Sequence, residues 1–283
     1  MAEESHGYVK GVGGLRLFYR AWEIRDPRAT VLLVHGLGEH SGRYEGVARA
    51  LNAAGFSAYG LDLRGHGRSQ GRRGHVRAFE HLLQDVDRLR RRVCSYDAVH
   101  CPTFLLGQSL GGLVTLRYLQ EYGCPSLRGA VAVAPFIRLT MEVPAWKFRF
   151  GRLADRLAPA ITLDNELRPE VLFREDAERE AYRSDPLVHR RISARLWAEM
   201  LRNAKRLVDR EQRIGVPVLF QLPGTDLVVD SAASEALSDR ISTSCDVRVY
   251  SEAYHDLYHD PEAEHGLSDA ASWLCSQVVP TSA

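Results

Sequence analysis

The residues Gly107-Gln108-Ser109-Leu110-Gly111 stand between an apolar run, 103–106, and a helix-like run, 110–122. A serine at a strand-to-helix elbow has the placement of a nucleophile, because the sharp turn lifts its hydroxyl clear of the chain. Side chains two residues before and two after that serine would collide, and glycine at 107 and 111 removes them. The same Gly-x-Ser-x-Gly pattern recurs at Gly67-Arg68-Ser69-Gln70-Gly71, inside a polar, glycine-rich stretch with neither a strand before it nor an apolar helix after it. Ser69 is therefore read as a turn serine bonded to local backbone, and Ser109 as the candidate nucleophile.

A serine hydroxyl attacks a carbonyl at neutral pH only when a base takes its proton, and that base needs an orienting carboxylate. In a strand–elbow–helix scaffold the chain order is serine, acid, histidine. Of the eleven histidines, His189 falls in an irregular segment and His265 opens the last helix, which leaves His255 and His259 after the last strand. His255, in Glu252-Ala-Tyr-His-Asp256, is nearer the strand end and is preferred, His259 reading as a surface residue beside the Pro261 turn. Asp226 follows an expected strand, 218–222, through Pro223-Gly224-Thr225. It is preferred as the acid over Asp230, which directly precedes a helical pattern and suits an N-cap.

The tetrahedral intermediate of acyl transfer carries an oxyanion that preorganised donors must meet. One donor is expected from the backbone N–H of Leu110, at the positive end of the helix it opens. The other is expected from Leu37, in the loop His35-Gly36-Leu37-Gly38 that follows the strand 30–34. His35 reads as a structural residue that fixes this loop.

Short apolar runs, each followed by a helical pattern, predict repeated βα units and a mostly parallel sheet. Strands are expected at 15–21, 30–34, 57–61, 103–106, 129–134, 218–222 and 246–250, and helices near 42–54, 76–94, 110–122, 231–240 and 264–277. The candidate residues all fall in loops at the carboxyl ends of strands, where open α/β sheets build their sites. Between 136 and 207 the rhythm breaks without a convincing strand. That stretch is expected to be a helical cap inserted into a core made of 1–135 and 208–283. Within it, Val143, Trp146, Phe150, Leu153 and Leu157 recur opposite Lys147, Arg149, Arg152 and Arg156. This basic amphipathic helix, opened by Pro144 and stopped at Pro159, suits either a lipid surface or the cap's own interior.

The 283 residues, 45% hydrophobic and 26% charged, suffice for a full core. With Lys plus Arg at 37 and Asp plus Glu at 36, no global field favours nucleic acid or an anionic membrane. Two local basic groups, Arg88-Leu-Arg-Arg-Arg92 and the arginines of 64–77, are read as solvated surface. The five cysteines are scattered and lack metal-site spacing, so they are read as reduced thiols. No secretory signal and no apolar run of about 18 residues is found, which points to a cytosolic protein touching membranes at most peripherally.

Several stretches are familiar as a set: His35-Gly-Leu-Gly-Glu-His-Ser-Gly-Arg-Tyr44, Asp62-Leu-Arg-Gly-His-Gly-Arg-Ser69, Gly107-Gln-Ser-Leu-Gly-Gly112, Tyr182-Arg-Ser-Asp-Pro-Leu187 and Ala253-Tyr-His255. Together they resemble the monoacylglycerol lipase and lysophospholipase family of α/β-hydrolases, over nearly the whole chain. The resemblance implies a triad of Ser109, Asp226 and His255, and a cap over a tunnel for an acyl chain. It also implies that Glu39 and Arg43 lie near the glycerol end of the substrate, with a loop-to-helix ion pair as the alternative. Where the mammalian lipases carry a further polar histidine, this chain has Tyr258, whose phenol can hydrogen-bond a glycerol hydroxyl. The turn before Asp226 is longer by Pro223. The implied activity is hydrolysis of a single-chain lipid ester, most simply a monoacylglycerol, with no cofactor and no metal. A lysophospholipase, a broad carboxylesterase, C–C bond cleavage or peracid formation on the same scaffold, and a non-catalytic ligand receptor are the alternatives.

Overall fold

The computed structural model describes residues 4–94, 102–123, 126–140, 145–210, 213–241 and 243–278, with 145–150 described by their backbone. Eight strands form one sheet: β1 (Glu4–Lys10), β2 (Arg16–Trp22), β3 (Ala29–Val34), β4 (Phe56–Leu61), β5 (Thr103–Gln108), β6 (Leu127–Val133), β9 (Val218–Pro223) and β10 (Cys245–Tyr250). Their order is β1-β2-β4-β3-β5-β6-β9-β10. From β4 through β10 every pair is parallel, and β1 and β2 add an antiparallel edge.

Alternation along the central strands divides the core in two. Val31 and Leu33 of β3, with Phe104 and Leu106 of β5, join Val47 and Leu51 of α1 (Glu45–Ala53) and Trp273 and Leu274 of α9 (Ala263–Val278). Leu32, Val34 and Leu105 face the other way, toward Leu82, Val86 and Leu89 of α2 (Glu80–Val93) and Leu113 and Leu116 of α3 (Leu110–Glu121). Both faces of a parallel sheet are thus covered by helices, which is why these strands read as continuous apolar runs. Each fully buried leucine or valine contributes about 1.5–3 kcal/mol of transfer free energy. The result is the α/β-hydrolase fold.

The elements between β6 and β9 are α4 (Ala145–Leu157), β7 (Thr162–Asp164), α5 (Pro169–Leu172), α6 (Asp176–Ser184), β8 (Arg191–Ser193) and α7 (Ala194–Asp209). Leu172, Tyr182, Leu196, Met200 and Leu207 among them join the core on the α2 and α3 face of the sheet. Arg117 of α3, fully buried, donates to Asn203 Oδ1 of α7 at 3.2 Å, and Gln120 Nε2 donates to Leu207 O at 2.9 Å.

Several differences from the sequence-based expectation have physical causes. β1 is a largely exposed, polar edge strand held by its ladder with β2, so it carries no apolar run to signal it. β7 and β8 are three residues each and exist because the chain brings Leu163 and Ile192 into register from distant positions. The helix expected from 42 starts at 45, after a short turn, Ser41–Tyr44, capped by the His40 ring accepting from Gly42 N–H. Two arginines read as solvated turn inward. Arg90 Nε lies 3.0 Å from the Tyr118 hydroxyl, and Arg64 grips buried Asp85 through Nε at 2.6 Å and Nη2 at 2.8 Å. Cys94, Cys245 and Cys275 are free thiols, while Cys101, Cys124, Val143 and Pro144 lie outside the described residues. No helix among the described residues is long and apolar enough to cross a membrane.

The junction of β5 with α3 leaves no room for side chains. A Cβ on Gly111 would sit 1.9 Å from Val34 O, and one on Gly107 would sit 2.3 Å from Gly111 O, in each case against backbone that cannot rotate away. Gly111→Ala should therefore lose about 3 kcal/mol or more of stability by urea denaturation. Gly46→Ala, on the open face of α1 with nothing within 4 Å of the added methyl, should gain about 0.5–1 kcal/mol.

Candidate active site

Ser109 closes β5 and precedes α3 with φ 53° and ψ −115°, a conformation that L-residues rarely adopt. Its carbonyl starts the helix by accepting from Leu113 N–H, and its own N–H donates to Val133 O at 3.0 Å. The backbone is therefore pinned from both sides, and the backbone N–H of Leu110 opens α3 directly behind the serine. The loop after β3 lies against it: a Cβ on Gly36 would come 3.5 Å from Ser109 Cβ.

The 224–226 turn and the 251–255 loop are tied together at the ends of β9 and β10. Gly224 N–H donates to Tyr250 O at 2.7 Å and Thr225 N–H to Ala253 O at 3.1 Å. This brings Asp226 Oδ2 to 2.8 Å from His255 Nδ1, while Asp226 Oδ1 accepts from the N–H groups of Val228 and Val229, each at 2.8 Å. The carboxylate is held on both oxygens, so it orients the imidazole and leaves Nε2 as the ring nitrogen that can take a proton. Burial alone would lower the His255 pKa, but the charge and hydrogen bond of Asp226 outweigh it, and the pKa lies above 6.5. Pro223 is absorbed as the last residue of β9, paired with Tyr250, so the longer turn does not displace Asp226.

Ser109 and His255 line one cleft with Gly36, Leu37 and Glu39 of the β3 loop. Leu167, Leu172 and Tyr182, from the segment between β6 and β9, complete its apolar side. Two further polar residues complete the lining, Gln108 and Asp256, which the sequence reading passed over although they are the chain neighbours of Ser109 and His255.

The competing residues are engaged elsewhere. Ser69 Oγ donates to Asp62 O at 2.5 Å and accepts from Phe18 N–H of β2 at 2.8 Å, so it is a structural serine that ties its loop to a distant strand rather than to local backbone alone. Asp230 caps α8 (Ser231–Ser238), accepting from Ala233 N–H at 3.2 Å, and pairs with Arg138. His259 Nδ1 lies 2.9 Å from Asp256 Oδ1. His35 holds its loop, with Nε2 accepting from Leu63 N–H at 2.9 Å and Nδ1 2.7 Å from Gly36 O. Burial lowers its pKa, which keeps the ring neutral.

Two residues expected at the glycerol end are not among those lining the cleft. The Arg43 side chain, 7% exposed, stands over the rings of Phe173 and Tyr182 at 5.2 and 5.3 Å and faces the carboxylates of Glu39, Asp256 and Glu178. Desolvation draws such a cation to every nearby anion and aromatic face, and the loop-to-helix ion pair is the arrangement adopted. Tyr258 is buried on the α9 side of the sheet, its hydroxyl donating to Gln221 Oε1 at 2.5 Å. Its ring is apolar surface, which the core takes, and its hydroxyl finds an internal acceptor. Glu39 does line the cleft, with Oε1 accepting from Gly36 N–H at 2.5 Å.

The serine aminopeptidase S33 family matches residues 25–262. A monoacylglycerol lipase of Mycolicibacterium smegmatis is 32% identical, over 95% of this chain and 96% of its own length. A phospholipase of Bacillus subtilis is 27% identical over 86% of this chain and 93% of its own. The crystal structure of Paleococcus ferrophilus monoacylglycerol lipase superposes with a TM-score of 0.85 at 32% identity, covering 92% of this chain and 99% of that one. The chain belongs to the serine aminopeptidase S33 family of α/β-hydrolases, as a carboxylic ester hydrolase similar to monoacylglycerol lipases.

Proposed function

We propose that this enzyme hydrolyses the ester of a single-chain lipid, a monoacylglycerol above all, to fatty acid and glycerol. The hydrogen bond from His255 Nδ1 to the Asp226 carboxylate, with His255 in the same cleft as a backbone-strained Ser109, is the observation that carries this reading. Ser109 Oγ attacks the ester carbonyl while His255 Nε2 takes its proton, and the oxyanion is met by the N–H groups of Leu37 and Leu110. The tetrahedral intermediate collapses as His255 protonates the leaving glycerol oxygen. Water, activated by the same imidazole, then releases the fatty acid from the acyl-enzyme. The acyl chain runs toward Leu167 and Leu172 of the cap, and the polar end toward Glu39. A lysophospholipase is the second reading, favoured by the similarity to the Bacillus subtilis phospholipase.

The enzyme meets its substrate at a lipid surface. Leu153 and Leu157, at the end of α4, and Leu163, in β7, are 54%, 76% and 55% exposed, next to Arg152 and Arg156. Large apolar side chains left in water beside basic ones are the composition of an interfacial segment.

A fluorophosphonate probe should label the wild type and not Ser109→Ala; labelling that survives the substitution would remove Ser109 from its role. kcat/KM should rise with pH along an acid limb whose midpoint lies above 6.5, because only neutral His255 accepts a proton and Asp226 raises its pKa. Asp226→Asn should cut kcat by on the order of ten-thousandfold and move any residual limb to lower pH. A panel of monoacylglycerols, lysophospholipids and p-nitrophenyl esters compared by kcat/KM separates the two lipid readings. Leu157→Asp should reduce activity on emulsified substrate severalfold more than on a soluble short-chain ester; equal losses on both would place Leu157 outside lipid contact.

A further inference from the structure

A set of polar contacts joins the loop after β3 to Gln108 beside Ser109 and reaches the loop after β10. Glu39 Oε1 accepts from Gly36 N–H at 2.5 Å and from the Tyr44 hydroxyl at 3.1 Å. The same hydroxyl lies 3.2 Å from Gln108 Oε1, so one proton is shared between two acceptors. Gln108 and Asp256 line the same cleft, and Asp256 Oδ1 holds His259 Nδ1 at 2.9 Å. Arg43 braces the set from outside, with Nε 3.5 Å from Glu39 Oε2 and Nη2 3.8 Å from Asp256 Oδ2.

The members are the chain neighbours of the proposed machinery. Gly36 precedes Leu37, Gln108 precedes Ser109, and Asp256 follows His255. A shift anywhere in the set therefore moves an oxyanion donor, the nucleophile or the base. Tyr44, 1% exposed, is the central link, because its hydroxyl is the atom that touches both the Glu39 half and the Gln108 half. Burial and the adjoining Glu39 hold its phenol well above the ordinary range, so it remains a donor at any working pH.

We propose that Tyr44 is a positioning residue, whose hydroxyl locks the oxyanion loop to the Ser109 loop and so sets Leu37 N–H for the tetrahedral intermediate. The proposal rests on the serine-esterase reading above. Preorganisation is what it supplies: donors already aimed at the oxyanion need no rearrangement during reaction, and small misplacements are costly.

Tyr44→Phe removes one oxygen and keeps the buried ring, so it tests the link with the packing retained. With a soluble p-nitrophenyl ester, kcat should fall about ten- to hundredfold while KM stays within about twofold. Affinity for an alkyl boronic acid, which binds serine as a tetrahedral anion, should fall by the same factor as kcat/KM. Affinity for a non-hydrolysable ether analogue of the ester should hold. Glu39→Gln, which still offers an oxygen to Gly36 N–H and Tyr44 O–H, should retain far more activity than Glu39→Ala. A Tyr44→Phe enzyme with kcat within about twofold of an active wild type, or one that weakens boronate and ether analogue alike, overturns the proposal. So does a Glu39→Gln as damaged as Glu39→Ala. An inactive wild type would instead overturn the serine-esterase reading, and this proposal with it.

Discussion

Everything at this site hangs on the backbone of Ser109, held at a positive φ between β5 and α3. Such a conformation costs on the order of 1–3 kcal/mol and persists only where the surroundings over-determine it. Here they do. The serine N–H is bonded to β6 and its carbonyl to the first turn of α3, and the glycines on either side let α3 press within backbone contact of β3. Because the elbow is wedged against β3, the loop that leaves β3 must pass beside the serine. The proximity of the Gly36-Leu37 loop to Ser109 is thus a packing consequence of two missing side chains.

The remaining parts are brought in by the parallel sheet. β3, β5, β9 and β10 all run the same way, so the loops carrying Leu37, Ser109, Asp226 and His255 emerge at one edge. Short backbone bonds then join loop to loop, and the segment between β6 and β9 fastens to the same loops. His189 N–H donates to Gly38 O at 2.8 Å, His40 Nε2 lies 2.8 Å from Asp185 Oδ2, and Asp256 N–H donates to Leu172 O at 3.1 Å. The segments around Leu172, Asp185 and His189 are therefore part of the scaffold that shapes the cleft, whereas the end of α4 and β7 turn leucines to the outside.

Polar side chains around the cleft are partnered largely with one another. Glu39, Gln108 and Tyr44 satisfy one another, and Asp256 satisfies His259, in a region closed to water, where a half-satisfied network would be costly. A polar floor under an apolar roof suits an ester whose carbonyl must be placed to a fraction of an ångström, while its chain needs only an apolar path. Arg43 and Tyr258 lie outside the cleft lining: Tyr258 donates to Gln221, and Arg43 stands over two aromatic rings and faces three carboxylates, with its Nε and Nη2 making ion contacts rather than hydrogen bonds.

Much of the fold and the core of the site were legible in the sequence because they are written in local terms. Alternating and continuous apolar runs report strands covered on both faces, and the glycines flanking Ser109 report a tight turn. The order Ser109, Asp226, His255 follows from strand ends, and Ser69 and Asp230 declare themselves as a loop serine and a helix cap by their immediate neighbours. What the chain order could not decide was where side chains with several possible partners would settle. β1 forms because β2 offers it an edge, Arg90 and Arg64 turn inward because Asp87, Tyr118 and Asp85 wait there, and Arg43 and Tyr258 are drawn from the cleft by aromatic faces and a buried glutamine. Those outcomes depend on groups distant in sequence, and only packing into one low-dielectric interior selects among them. Backbone geometry and the candidate nucleophile, acid and base were thus determined by the sequence itself; which polar groups line the cleft and which brace it was decided by the tertiary structure.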